Sequence, residues 1–422
     1  MSLSSPPTVI ARVLPSRSAA ARLAGAGAGW GLLGLSTFIY LRLSTRGPFH
    51  VGPRALAFFD LRVYRGAAVR VLDSAGLYSH PIIHHLGFTY PPAAAILLAP
   101  LAFAPLVVDE AVVLGLNLLA LVWVIHSALA LAGTPVRAVG RWPFAALIAA
   151  GALWLEPITV TLGYGQIDLL IAGLVLLDLS RPADAPLRGV AIGVAAGLKL
   201  TPLLLIVYLF LQGRRANALT ALVAFLATIA LSLAATGSAA IHYWGGLVLD
   251  SARVGGAQDA ANQSLRGALA RLLGVPHPGL EPEAIVVIVA CGGLWLAVSA
   301  ARRRETTLGT GLAIVTTLLA SPVSWTHHWT LAVPGLVWLT VAALRGRSAA
   351  LGAAALAAAA IGFAYIPERF MVRHESVTGL VSLTADPYVL IGVAALLSAA
   401  VREQRLRRRS SRCATPGLPG PR

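Results

Sequence analysis

The fold class this chain predicts is an all-α integral membrane protein with about twelve crossings and two large loops on one side. Three observations carry it. Hydrophobic residues make up 57% of the 422 positions and charged ones only 12%, with a mean hydropathy of +0.77, which marks a polytopic membrane protein rather than a soluble globule. Short arginine clusters separate the apolar runs, as they do in cytoplasmic loops. Two long polar stretches, residues 42–91 and 236–283, interrupt the apolar pattern. The net charge of +16 comes from these dispersed arginines, so nucleic acid is not an expected partner. Two cysteines make no disulfide framework, and Lys199 is the only lysine.

Taken in order, residues 1–22 are polar, carry Arg12, Arg17 and Arg22, and are expected to stay cytoplasmic. Leu23 to Leu41 reads as the first span, retained because no small-x-small cleavage site follows it. Loop 42–91 then lies outside. Within it, residues 57–72 have helical spacing, with Phe58, Leu61, Val69 and Leu72 roughly on one face of a helix lying on the bilayer. Pro91 and Pro92 close the loop, since adjacent prolines fit only a helix's first turn.

Further spans are expected near 93–108, 110–132, 143–161, 166–179, 189–212 and 217–235, several short enough to require tilted or broken helices. Alternation puts Gly163–Asp168 inside, whereas Arg137, Arg141, Arg181 and Arg188 prefer their own loops inside. The two signals conflict. Beyond the outer loop 236–283, spans follow near 284–301, 306–320, 329–344, 349–365 and 386–400, ending the membrane domain at 401. The even count puts both termini inside and residues 321–328 outside with Asp60. The basic tail 402–422 reads as disordered and cytoplasmic.

The polar residues expected at the outer face are Asp60, Tyr90, Arg266, His327 and His328, with Lys199 near them. One carboxylate among several cations suits sugar transfer from a lipid phosphate. The phosphate leaves readily once cations and hydrogen-bond donors meet its developing charge. The acceptor hydroxyl then needs only a base, which a carboxylate supplies. Glycoside hydrolysis, by contrast, generally needs two carboxylates. Each residue also has a plain structural reading. Asp60 could pair with Arg62 or Arg65, Lys199 could snorkel to a headgroup, Arg266 could rest on a membrane lipid phosphate, and Asp168 could bond Gln166 or a neighbouring helix. His327 and His328, being adjacent, would point in different directions on a helix. His80, His84 and His85 have ligand-like spacing but sit in a polar loop, and no metal or cofactor is expected.

At these residues the chain resembles glycosyltransferase family 87, the polyprenol-phosphate-mannose-dependent α-mannosyltransferases of actinobacteria. The similar blocks run in the family's order: Phe59-Asp60-Leu61-x-Val63-Tyr64, Phe88-Thr89-Tyr90-Pro91-Pro92, Gly165-Gln166-Ile167-Asp168, Lys199-Leu200-Thr201-Pro202, Asn262-Gln263-Ser264-Leu265-Arg266-Gly267 and Ser321-Pro322-Val323-Ser324-Trp325-x-His327-His328. The resemblance implies a GT-C membrane fold with an extracytoplasmic site. It also implies a β-linked polyprenyl-phosphate mannose donor, an acceptor glycolipid or lipoglycan, and an α-linked product, with an α-1,2 linkage favoured. Asp60 would then be the general base. His327 or His328 would hold the donor phosphate or the acceptor, while Lys199, Arg266 and Tyr90 would contribute to substrate binding. Asp168 departs from the asparagine expected there. The alternatives are transfer of another lipid-phosphate sugar, such as arabinose or glucose, and a polytopic transporter or flippase. A transporter would concentrate its ionisable residues near the midplane of two repeated halves.

Overall fold

The computed structural model describes residues 19–46, 56–84, 86–136, 138–372 and 377–414. Residues 1–18 of the expected cytoplasmic segment, residues 47–55 of the first loop, His85, Arg137 and the last eight tail positions (415–422) lie outside these. The described chain is helical, with only isolated bridges at Ile83–Leu86 and Asn262–Trp325 in place of strands.

The first half contains α1 (Ala19–Arg46), α2 (Phe59–Leu72), α3 (Pro92–Leu97), α4 (Leu106–Leu131), α5 (Ala138–Ala152), α6 (Glu156–Tyr164), α7 (Asp168–Leu179), α8 (Val190–Leu198), α9 (Leu203–Leu211) and α10 (Arg215–Thr236). The second contains α11 (Ser238–Gly245), α12 (Leu265–Leu273), α13 (Leu280–Arg302), α14 (Thr306–Ala320), α15 (Val333–Gly346), α16 (Ala349–Ala364), α17 (Ile366–Val372) and α18 (Pro387–Ala414). Five helices are long and apolar enough to cross a membrane, or up to seven if each of two bent pairs is one span. Helices α4, α10 and α13 expose rows of large apolar side chains such as Leu116, Leu119, Leu222, Leu226, Val287 and Ile288, which suits lipid contact and not water.

Two expected spans are built differently. Residues 93–108 do not cross: Pro92 starts the short α3, Pro100 sits in a 3-10 turn, and Pro105 caps α4. Residues 189–212 form a hairpin, because Lys199 is extended (φ −150°, ψ 121°) and Pro202 cannot continue α8. Both ends of the hairpin lie among arginine-rich turns. Asn217, near the start of α10, bonds the carbonyls of Ala183 and Arg188, while Arg302 reaches the Leu211 carbonyl. Gly163 and Gln166 meet Ala57, Phe58 and Asp60, whereas the arginine-bearing turns meet one another: Arg345 donates to the carbonyls of Ala132 and Gly133, and Arg302 to that of Leu211.

Helix α8 packs on α10 through small residues, where a Cβ added at Gly197 would lie 2.6 Å from Thr228 Cγ2. Helix α18 runs on through the basic segment to Ala414, so the tail expected to be disordered is helical to that point. Arg402 pairs with Glu305, and Arg303 and Arg407 pair with Glu403, tying α18 to the turn between α13 and α14.

Candidate active site

The site is assembled where helices break. Irregular backbone inside a bilayer is tolerated only where it is buried in protein or lines a cavity. The family-like blocks at 165–168, 199–202, 262–264 and 321–328 all lie between helices or at their ends, or in a 3-10 turn. All but the 262–264 block contribute to the lining of a cavity of about 700 Å3, which includes Asp60, Tyr90, Gln166, Lys199, His327 and His328, among others.

Asp60 stands in the first turn of α2, as expected, but the buried face of that helix is Leu61, Val63, Tyr64, Ala67 and Ala68; Val69 and Leu72 are exposed. The entry to α2 is fixed by Phe58, whose left-handed backbone (φ 49°) lets its N–H and that of Ala57 both donate to the Gly163 carbonyl, at 2.8 and 3.0 Å. Gly165 (φ +70°) turns the chain out of α6 against Leu61, leaving no room for a Cβ, which would lie 2.7 Å from Leu61 Cβ. Two segments distant in sequence thereby bring Gln166 to Asp60.

Gln166 Nε2 donates to Asp60 Oδ2 at 2.8 Å. Its Oε1 accepts from the hydroxyls of Tyr64 (2.5 Å) and Tyr90 (2.7 Å), and its main-chain carbonyl accepts from Asn117 Nδ2 at 3.0 Å. The amide orientation follows from the donor inventory. Lys199 Nζ can only donate, and it donates to the Tyr90 oxygen at 3.2 Å, so the Tyr90 proton goes to Gln166 Oε1. The Gln166 NH2 group must then face Asp60. Lys199 also pairs with Asp168 at 2.7 Å, with the two residues only 6% and 0% exposed. The chain of contacts therefore runs Asp168, Lys199, Tyr90, Gln166, Asp60. The simple surface pairing of Asp60 is not realised: among the described residues it makes no ion pair, and Arg65 instead binds Asp109 and the carbonyls of Leu101 and Ala104. Burial pushes the Asp60 carboxyl up to about 6, opposed by the Gln166 hydrogen bond and the Lys199 charge.

His327 and His328 lie on a 3-10 turn (Thr326–Ala332), and both reach the cavity, with rings 4.8 Å apart. His327 Nε2 is 3.9 Å from Asp168 Oδ2. His327 Nε2 and His328 Nδ1 are buried without hydrogen-bond partners, His327 Nε2 facing the Asp168 carboxylate. The Asn262-Gln263-Ser264 block acts as a clasp. Gln263 N donates to Ser324 O, Thr326 N donates to Ala261 O, and Asn262 Oδ1 accepts from Ser264 N and Ser324 N. Arg271, paired with Asp386, holds the Asn262 carbonyl from behind.

Arg266 is not among the cavity-lining residues; it pairs with Glu283 at 2.6 Å and donates to Ser251 Oγ at 2.5 Å. The arginine that lines the cavity is Arg253. It donates to the carbonyls of Leu247, Phe88 and Thr89 and lies over the rings of Tyr78 and Tyr243. No carboxylate pairs with it among the described residues. Sequence reasoning also missed Gln166, Tyr164 and Glu368 as cavity residues. Gln166 stood in a quoted block, and Glu368 could have been found as a lone acid at the end of an apolar run. No group of three or more potential metal ligands occurs among the described residues, and His80 and His84 do not line the cavity.

Comparison with known proteins gives the family. The profile described as Glycosyltransferase family 87 matches residues 88–322. The chain is 35% identical over 315 residues to a Mycobacterium tuberculosis polyprenol-phosphate-mannose-dependent alpha-(1-2)-phosphatidylinositol pentamannoside mannosyltransferase, covering 71% of this chain and 70% of that protein. It is 35% identical over 359 residues to a Mycolicibacterium smegmatis polyprenol-phosphate-mannose-dependent alpha-(1-2)-phosphatidylinositol mannoside mannosyltransferase, covering 76% and 79%. A Mycobacterium tuberculosis protein of the latter description is 28% identical over 371 residues, covering 83% and 84%. No solved structure matches the chain. The chain belongs to glycosyltransferase family 87, a family of membrane glycosyltransferases.

Proposed function

We propose that this enzyme transfers mannose, with inversion, from a polyprenyl-phosphate mannose to a phosphatidylinositol mannoside acceptor, forming an α-1,2 linkage. The names of its relatives supply the substrate classes. The observation that carries the chemistry is Asp60: a carboxylate on the cavity wall, without an ion-pair partner among the described residues, aligned by Gln166 and raised to about 6. Such a group is ionised at neutral pH yet basic enough to take a hydroxyl proton.

In this reading Asp60 removes the proton from the acceptor hydroxyl as its oxygen attacks C1 of mannose, opposite the phosphate. The C1–O bond to phosphate breaks, the β linkage becomes α, and polyprenyl phosphate leaves with the bonding electrons. Lys199, His327 and His328 would donate to the departing phosphate, with Arg253 in the role the sequence suggested for Arg266, while Tyr90 keeps its proton on Gln166 and holds Lys199 in place. The site end faces the outside and both termini face the cytoplasm. Support comes from the arginine-rich turns, which gather at the opposite end of the bundle.

The test is transfer from labelled polyprenyl-phosphate mannose in membranes, comparing wild type with Asp60→Asn. The substitution preserves size and removes the base, so transfer falls about 100-fold or more while the protein still inserts. Equal transfer by the two proteins would refute the role of Asp60. Uptake or flipping of substrate without sugar transfer would refute the enzyme reading altogether.

A further inference from the structure

The cavity has a second carboxylate that the proposed chemistry does not use. Glu368, on α17, is only 1% exposed and lines the cavity, yet no cation pairs with it among the described residues. Its Oε1 accepts from Thr326 Oγ1 at 2.7 Å and its Oε2 from the Tyr164 hydroxyl at 3.3 Å. Each carboxylate oxygen has two acceptor positions, so each retains one. An acid at the end of a membrane-spanning run without a counter-ion is costly to retain unless it has a ligand. Asp259 lines the same cavity without closing an ion pair among the described residues.

Two acidic side chains, Glu368 and Asp259, make this wall a poor host for a phosphate. A metal ion is poorly served, since no group of three ligands is present among the described residues. What fits two free acceptor positions on one planar carboxylate is a pair of neighbouring hydroxyls, as on a sugar ring. The wall also adjoins the base. Tyr164, which donates to Glu368, packs edge-on against Phe59, the neighbour of Asp60, and against His327, both at 6.3 Å between centroids.

We infer that Glu368 binds the acceptor sugar through two adjacent ring hydroxyls, presenting another hydroxyl to Asp60. This rests on the proposed transferase reading for the word acceptor, but the binding itself does not. Lys199 and Arg253, which line the same cavity, are left to the anionic donor. Glu368 also has a structural contact, since its backbone N–H donates to Glu156 Oε1 at 3.0 Å, and Tyr388 binds the other oxygen of Glu156 at 2.7 Å. That strut gives the control.

The experiment titrates purified wild type, Glu368→Gln and Glu156→Gln with octyl α-mannoside in nanodiscs, and measures melting temperature and mannose transfer on the same samples. The expected result is that Glu368→Gln weakens binding ten-fold or more and raises the acceptor KM by a similar factor. Its donor KM stays within two-fold. Glu156→Gln lowers the melting temperature but leaves octyl mannoside binding unchanged. The inference is overturned if wild type does not bind octyl mannoside, if Glu368→Gln binds it as wild type does, or if both variants weaken binding in proportion to lost stability. Binding that depends on Glu368 in a protein that transfers no mannose would sink the transferase reading and leave this inference standing.

Discussion

Replacing Gln166 with leucine separates alignment of the base from the base itself. The side chain makes one hydrogen bond to the Asp60 carboxylate and accepts two from tyrosines. A hydrogen bond to a charged group is worth about 1.5–3 kcal/mol, and one pKa unit is about 1.4 kcal/mol, so its loss should raise the Asp60 pKa by about 1–2 units. The sign follows from the proposed role: a general base acts deprotonated, so kcat/KM should rise with pH through the Asp60 pKa and level above it. In wild type the rise should centre near pH 6, the value to which burial lifts Asp60. In Gln166→Leu it should centre about 1–2 units higher, near pH 7–8. The assay is mannose transfer from pH 5 to 9 at subsaturating substrate, with melting temperature recorded because two buried phenols lose their acceptor. A fall in rate by the same factor at every pH would refute the reasoning, for it would mean that Gln166 only supports the fold.

Breaking the Lys199–Asp168 pair with Lys199→Met leaves a buried carboxylate uncompensated and should cost about 3–5 kcal/mol, read as a large drop in melting temperature. The double variant Lys199→Met/Asp168→Asn should recover most of that loss without recovering activity. Additive losses would show that the pair does not stabilise the fold as a unit. Arg253→Gln should raise the donor KM ten-fold or more with the acceptor KM unchanged, and Arg253→Lys, which keeps the charge but loses the planar fork, should fall between. Equal effects on both substrates would make Arg253 a loop clamp.

The membrane class and the identity of Asp60, Tyr90, Lys199, His327 and His328 as cavity residues were legible in the sequence because polar side chains in an apolar chain announce themselves. Arg266 was misplaced for the opposite reason. Loop arginines are common in this chain, and nothing local distinguishes one that meets Glu283 from one that faces the cavity. The single span expected at 93–108 failed at prolines. Pro91, Pro92, Pro100 and Pro105 turn an apolar run into a string of short pieces, and hydropathy cannot see that. Gln166 was invisible as a positioning group because its value lies in partners 102, 76 and 106 residues away. The bend between α5 and α6 likewise appears only once both helices pack.

The cavity's charges explain why a chain with a single base needs so many neighbours. Lys199 holds Asp168, so most of its charge is neutralised, and its remaining interaction is the hydrogen bond to Tyr90. That bond orients Tyr90, Tyr90 orients Gln166, and Gln166 faces Asp60. An asparagine at 168, as the family resemblance leads one to expect, would leave the lysine cation free for the donor phosphate. With aspartate there, the lysine is better suited to aligning the base than to gripping an anion. Under the proposed reading Arg253, with which no carboxylate pairs among the described residues, would therefore carry more of the donor phosphate than Lys199.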